Sequence, residues 1–311
     1  MHVLFMGTPD FSVGSFKALY DNFEIIGAVT QPDKPQGRGY KLTASPIKKI
    51  ASEYNIPVYQ PETLKNGAFS DVLHSLNPDI IVVVAYGKIL PKYVLDYPKY
   101  GCINLHGSLL PKYRGAAPMQ RAIIDGEKIT GVTTMFMAEG LDTGDMLEKA
   151  EIKIEENDNF EAVHDKLSEV GASLLVSTLK KIEASQIKPI KQDETLATYA
   201  KKIEKEDRLI DFSKDAESIH NLIRGLSPIP LAFTYLGEKL IKISDAQIAE
   251  KSSSNSHPGT VLSFDHGKIL VACGRGTISI NTLIPEGKKC MNASDFINGR
   301  QIKIGEVFGQ K

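Results

Sequence analysis

Residues 101–111, Gly-Cys-Ile-Asn-Leu-His-Gly-Ser-Leu-Leu-Pro, hold the densest set of groups able to do chemistry in this chain of 311 residues. A β-rich run ending in Asn-x-His puts Asn104 and His106 on one face, because side chains alternate at every second residue of a strand. Asp142 lies in Glu-Gly-Leu-Asp-Thr-Gly-Asp, a loop leaving another predicted strand. An amide, an imidazole and a carboxylate brought together suit attack of an amine on a carbonyl. The amide NH₂ donates to the oxygen that gains charge, which is worth roughly 10²–10³ in rate. The imidazole shuttles the proton that the amine loses, and the carboxylate orients the ring and stabilises its charged form. The residues also admit a second reading, in which Asn104 and His106 cap a strand in a turn.

The elements that must position these groups are legible as periodicities. Up to residue 185, short β-rich runs alternate with helical stretches. Strands are predicted at 2–7, 24–30, 79–86, 102–105 and 132–137, and helices at 11–22, after Ser45-Pro46 and at 160–182. The run Ile80, Ile81, Val82, Val83, Val84 reads as a central strand covered on both faces. Strands alternating with helices imply crossover connections and a mostly parallel sheet. In such sheets ligands bind outside the carboxyl ends of the strands, which is where residues 107–111 fall. Residues 186–204 are polar and aperiodic and read as a linker. From 205 onward one helix at 216–225 is followed by short strands at roughly ten-residue spacing, the texture of a small β-barrel or sandwich.

Composition excludes several classes. Hydrophobic residues make up 42% and charged residues 24% of the chain, too much apolar surface for a disordered protein. The longest apolar run, 80–86, is far short of the roughly 20 residues that a bilayer needs, so no membrane partner is expected. A net charge of −1 does not advertise a nucleic acid. Cys102, Cys273 and Cys290 make neither a disulfide framework nor a zinc spacing, and no metal is expected. The chain opens directly on a strand without a basic or apolar leader, so a cytoplasmic setting is expected. The turn after the first strand, Gly7-Thr8-Pro9-Asp10, lacks the glycine fingerprint of dinucleotide sites, and no phosphate loop follows elsewhere.

Residues 101–115 (GCINLHGSLLPKYRG) and Gly140-Leu141-Asp142-Thr143-Gly144 resemble the signatures of the 10-formyltetrahydrofolate-dependent formyltransferases. Met6-Gly7-Thr8-Pro9-Asp10-Phe11, residues 30–39, 83–87 and Ala116-Ala117-Pro118 add to the likeness. The resemblance is strong over the first 185 residues. Beyond residue 205 it is carried mainly by length, position and strand-rich texture. It implies a Rossmann-like, mostly parallel catalytic domain over 1–185, a linker over 186–204 and a small OB-like β-barrel domain over 205–311. It also implies a co-substrate, 10-formyltetrahydrofolate, and an acceptor, the α-amino group of initiator methionyl-tRNA, acted on by a monomer. Asn104 would polarise the formyl carbonyl, His106 would manage the amine's proton, and Asp142 would hold His106. Ser108, Leu109, Leu110 and Pro111 would line the folate pocket. The closest rival is an amino-sugar-nucleotide N-formyltransferase, which would keep that chemistry and have no use for the basic segment 31–42.

That segment carries the acceptor argument. Lys34, Arg38 and Lys41 lie in a Gly-rich loop that, by the resemblance, enters the acceptor stem of the tRNA, where an arginine fork binds phosphates or base edges bidentately. Read alone, such a loop is more often mobile solvated surface. Tyr40 stands where a further basic residue is expected. Lys112 and Arg114 read either as exposed loop charges or as contacts to phosphate or the folate tail. His164 and His220 fall in helix patterns at the surface or its boundary, and Cys102 reads as core packing.

Overall fold

The computed structural model describes residues 1–36, 41–251 and 256–309. Arg38, Tyr40 and most of the serine-rich loop at 252–256 lie outside them. The chain divides into two compact units: residues 1–116, 129–152 and 164–200, and residues 117–128, 153–163 and 201–311.

The first unit is built on a seven-stranded sheet. Its strands are β1 His2–Gly7, β2 Glu24–Val29, β3 Val58–Tyr59, β4 Ile80–Val84, β5 Cys102–His106, β6 Ile129–Phe136 and β7 Met146–Lys153, in the order β7-β6-β5-β4-β1-β2-β3. The pairs β1/β2, β1/β4, β2/β3 and β4/β5 are parallel, and β5/β6 is antiparallel. The chain runs outward from β1 in one direction and then crosses to β4 on its other side. That doubly wound, Rossmann-like arrangement leaves a crevice at the carboxyl ends of the central strands. All five residues of β4 are buried, which explains why its sequence is continuously β-branched rather than alternating. The helix Pro46–Glu53 starts as its sequence suggests: Ser45 Oγ accepts from the Lys48 N–H at 3.0 Å, and proline occupies the first turn.

Residues 186–204 are not featureless. Ile190 exchanges backbone bonds with Met146 at 2.8 and 2.9 Å, and the two-residue strand Tyr199–Ala200 pairs in parallel with Arg114–Gly115. Gln192 within this stretch is buried. Polar composition hid this order, because the stretch is held by backbone pairing and a few side-chain bonds rather than by a periodic apolar face.

The second unit carries an antiparallel sheet of β8 Ala232–Leu236, β9 Lys239–Glu250, β10 Val261–Asp265, β11 Lys268–Ala272 and β12 Thr277–Pro285, in the order β8-β9-β12-β11-β10. Single bridges from Phe308 to Leu236 and from Val307 to Thr260 tie both ends of that order to the last residues of the unit, as a barrel requires. The helix Ala216–Gly225, capped by Asp215, buries Ile219 and Ile223 against Ile243, Val271, Ile280 and Leu283. His220 on that helix is 5% exposed, not at the surface: its ring nitrogens lie 3.0 and 3.1 Å from the carbonyl oxygens of Ala246 and Glu156. No helix among the described residues is long and apolar enough to cross a membrane.

Candidate active site

Strand β5 places its two polar side chains by register. Asn104 stands between Val83 of β4 and Met135 of β6, and His106 pairs with Thr133 of β6. Asn104 is therefore held by strands on both sides and His106 by β6, the two lying about 6.7 Å apart along the backbone and on one face. Asn104 is half-buried, and its amide is bonded to no partner among the described residues.

His106 is 6% exposed. Its Nε2 lies 2.9 Å from the Tyr113 carbonyl oxygen. A carbonyl only accepts, so Nε2 carries the proton of the neutral ring and Nδ1 keeps its lone pair. Asp142 Oδ2 lies 3.6 Å from Nδ1. The same Oδ2 accepts from the Gly115 N–H at 2.8 Å. Asp142 has a left-handed backbone, with φ +53°, a conformation that aspartate tolerates better than most side chains. The loop that bears it is drawn tightly onto the sheet: a Cβ at Gly144 would lie 1.8 Å from the Phe136 carbonyl oxygen.

The loop after β5 is internally bonded. Ser108 Oγ donates to the Lys112 carbonyl at 2.6 Å, and the Ser108 carbonyl accepts from Thr133 Oγ1 at 2.7 Å. Leu110 N–H donates to the same hydroxyl at 3.1 Å, and its carbonyl accepts from Lys149 Nζ at 2.5 Å. Ser108 is thus wholly buried and turned into its own loop, and Leu110 packs with Met135 and Met146. Leu109 and Pro111 stay half-buried. Residues 108–111 therefore form a loop shaped by its own hydrogen bonds, with Leu109 and Pro111 as its partly exposed apolar residues.

Arg114 is the largest fully buried side chain among the described residues, not an exposed loop charge. Its guanidinium meets Glu194 through two bonds of 2.8 Å and Gln192 Oε1 through bonds of 3.0 and 2.8 Å. The fork on Glu194 holds that carboxyl below its ordinary range. Gln192 in turn donates from Nε2 to the carbonyls of Asp142 and Gly144, both at 2.8 Å. Nothing local in the sequence singles out Gln192, which sits in a polar, aperiodic stretch. Burial pushes the Cys102 thiol up to about 12, so it is inert packing at the base of β5.

The hairpin of Lys34–Gln36 and Lys41–Thr43 frames the basic segment. Lys34 is exposed, and its Nζ donates to Gln31 Oε1 at 2.6 Å. A cavity of about 300 Å³ opens beside it, lined by Thr8, Asp10, Gln31, Lys34 and Ser45, at the carboxyl ends of β1 and β2. Among the described residues no group of three or more His, Cys, Asp or Glu could hold a metal ion.

The doubly wound sheet, with an amide and an imidazole on a central strand and a carboxylate 3.6 Å from that imidazole, is an arrangement able to serve group transfer at a carbonyl. The chain belongs to the formyl transferase family: the family's N-terminal model, "Formyl transferase", matches residues 1–179, and "Formyl transferase, C-terminal domain" matches residues 202–301. A methionyl-tRNA formyltransferase from Clostridium novyi is 49% identical over 308 residues, which cover 99% of both chains. Among solved structures, a methionyl-tRNA formyltransferase from Clostridium thermocellum superposes with a TM-score of 0.55 at 21% identity, covering 80% of this chain and 93% of that one. An N-formyltransferase from Helicobacter canadensis, in complex with folinic acid and dTDP-3-aminofucose, gives 0.68 at 19% identity, covering 89% and 98%.

Proposed function

We propose that this chain transfers the formyl group of 10-formyltetrahydrofolate to the α-amino group of initiator methionyl-tRNA. The observation that carries the acceptor is the 49% identity to a methionyl-tRNA formyltransferase along essentially the whole chain, both family segments included. The donor is supported by the site. The half-buried Asn104 amide has no partner among the described residues, which suits a donor whose carbonyl must be polarised.

Each residue has a defined task in this reading. Asn104 Nδ2 donates to the formyl oxygen as the amine adds to the formyl carbon and the carbonyl π pair moves onto oxygen. His106 Nδ1, the ring nitrogen not held by the Tyr113 carbonyl, takes the proton that the amine nitrogen loses. Asp142, 3.6 Å away, stabilises the resulting imidazolium. His106 then returns the proton to the departing donor nitrogen as the C–N bond breaks. Leu109 and Pro111, on a loop whose own polar groups are already bonded, hold the donor by apolar contact, and the buried Ser108 and Leu110 keep that loop in shape. Lys34, Arg38 and Lys41 meet the tRNA, with Lys34 at the edge of the cavity beside the hairpin. The unit ending in β8 to β12 holds the tRNA body. The setting is the cytoplasm, and the working species is a monomer.

The test is an assay with 10-formyltetrahydrofolate and two acceptors in parallel, methionine-charged initiator tRNA and an amino-sugar nucleotide. Formyl-methionine on the tRNA alone supports this reading. Transfer only to the sugar would leave Asn104, His106 and Asp142 in their roles and refute the acceptor.

A further inference from the structure

We infer that Gln192 is a positioning residue for the transfer reaction: anchored by buried Arg114, it sets the backbone of Asp142 and so the carboxylate that faces His106. The inference rests on the proposed roles of Asp142 and His106, but its geometric half stands without them. Gln192 Oε1 takes two bonds from the Arg114 guanidinium, at 3.0 and 2.8 Å. The orientation of its amide is fixed by that choice, since a guanidinium only donates. Both N–H groups must then point the other way, and they meet the carbonyls of Asp142 and Gly144 at 2.8 Å. Every donor and acceptor of this 4% exposed side chain is used.

The carboxylate is held from the same place. Asp142 Oδ2 accepts from the Gly115 N–H, and Gly115 follows Arg114 on the two-residue strand bonded to Tyr199–Ala200. Arg114 thereby fixes Asp142 twice: through Gln192 it holds the backbone, and through its neighbour it holds Oδ2. Glu194 compensates the Arg114 charge with a two-bond fork, so the anchor holds without leaving an unpaired charge in the interior. Misplacing a reacting group by about 1 Å costs on the order of 10²-fold in rate, which sets the size of the expected effect.

The discriminating variant is Gln192→Glu. It keeps the volume and the oxygen facing Arg114, and turns a carboxylate oxygen toward two carbonyls where two donors stood. Gln192→Met, which removes both interactions, is the second variant. The readouts are single-turnover formylation of methionyl-tRNA, Michaelis constants for both substrates, and hydrogen exchange at the Gly115 amide, which needs no turnover. The expected result is a kcat lower by ~10- to 100-fold, Michaelis constants within about threefold, and faster Gly115 exchange. In an Asp142→Asn background, adding Gln192→Glu should change kcat by less than about threefold, because the two residues act as one unit. Losses that multiply in the double variant would overturn the inference, as would unchanged Gly115 exchange and unchanged kcat in Gln192→Glu. Should the parent protein fail to formylate methionyl-tRNA, the proposed function falls while Gly115 exchange still decides whether Gln192 holds Asp142.

Discussion

Replacing Asp142 with asparagine removes one charge beside His106 and leaves nearly every contact in place. The asparagine carbonyl occupies the position of Oδ2 and continues to accept the Gly115 N–H, so the loop and the fold are expected to survive. What disappears is the attraction between a carboxylate and the imidazolium that forms when His106 takes the amine's proton. At the observed 3.6 Å, Coulomb's law gives about 1 kcal/mol in bulk water and about 4.6 kcal/mol at the effective dielectric constant of 20 typical of protein sites. With the Asp142 side chain 15% exposed and His106 6% exposed, the pair lies nearer the second limit. At about 1.4 kcal/mol per decade, the two limits span roughly tenfold to 10³-fold, and a loss of about 10²-fold or more is expected.

The assay is single-turnover formylation of methionyl-tRNA with enzyme in excess, which isolates chemistry from product release. The charge develops only after the amine attacks, so kcat and kcat/KM should fall together while the affinity for both substrates stays within a few-fold. A variant that folds and turns over within threefold of the parent would refute the idea that Asp142 stabilises the ring. A raised Michaelis constant for tRNA at unchanged kcat would instead make Asp142 a binding group.

Three further outcomes concern the scaffold. Gly144→Ala should destabilise the protein by more than ~2 kcal/mol, measured by chemical unfolding, because its Cβ would meet the Phe136 backbone oxygen at 1.8 Å and neither atom sits on a flexible side chain. Ser45→Ala should cost about 1 kcal/mol, read from the denaturation midpoint, by removing the acceptor for the Lys48 N–H and the partner of the Thr30 hydroxyl at 2.7 Å. Acid should destabilise both units in one direction. Asp33, held down by Lys48 and Gln60, and Asp215, held down by the Ser218 amide and hydroxyl, have folded-state values below the ordinary 3.8. Their contribution is complete above that value and is lost as the pH falls through the lower folded one, so the melting temperature should drop below about pH 4 and not between pH 5 and 7.

The sequence could be read where a residue's neighbours along the chain determine its surroundings. The all-apolar run of β4 announces a strand covered on both faces, and Asn-x-His on the next strand announces two groups on one face. The helix at 216–225 has the same limits in the structure, because Asp215 caps it and its apolar spacing is regular. What stayed hidden depends on partners far away in the chain. Arg114 looked like one more basic loop residue, since its partners Gln192 and Glu194 are 78 and 80 residues away. His220 reads as a surface or boundary residue because helical periodicity does not reveal that two backbone carbonyls from other segments cover its ring.

That division follows from how precision is achieved in this site. Asn104 and His106 sit on one strand, where pairing with β4 and β6 fixes Asn104 and pairing with β6 fixes His106 at no expense of special contacts. Asp142 has no such frame. It stands on a loop, in a left-handed conformation that disfavours a residue bearing a Cβ by about 1–3 kcal/mol, and such a conformation persists only where its surroundings over-determine it. Here the surroundings are the Gly115 N–H on the carboxylate, the Gln192 amide on the carbonyl, and the close approach of Gly144 to β6. The first two are long-range, and both come from segments that Arg114 ties together. A strand positions by local rule and is legible, whereas a loop must borrow its rigidity from distant residues. In this chain the residues that make Asp142 rigid are therefore those that a reading by local pattern passes over.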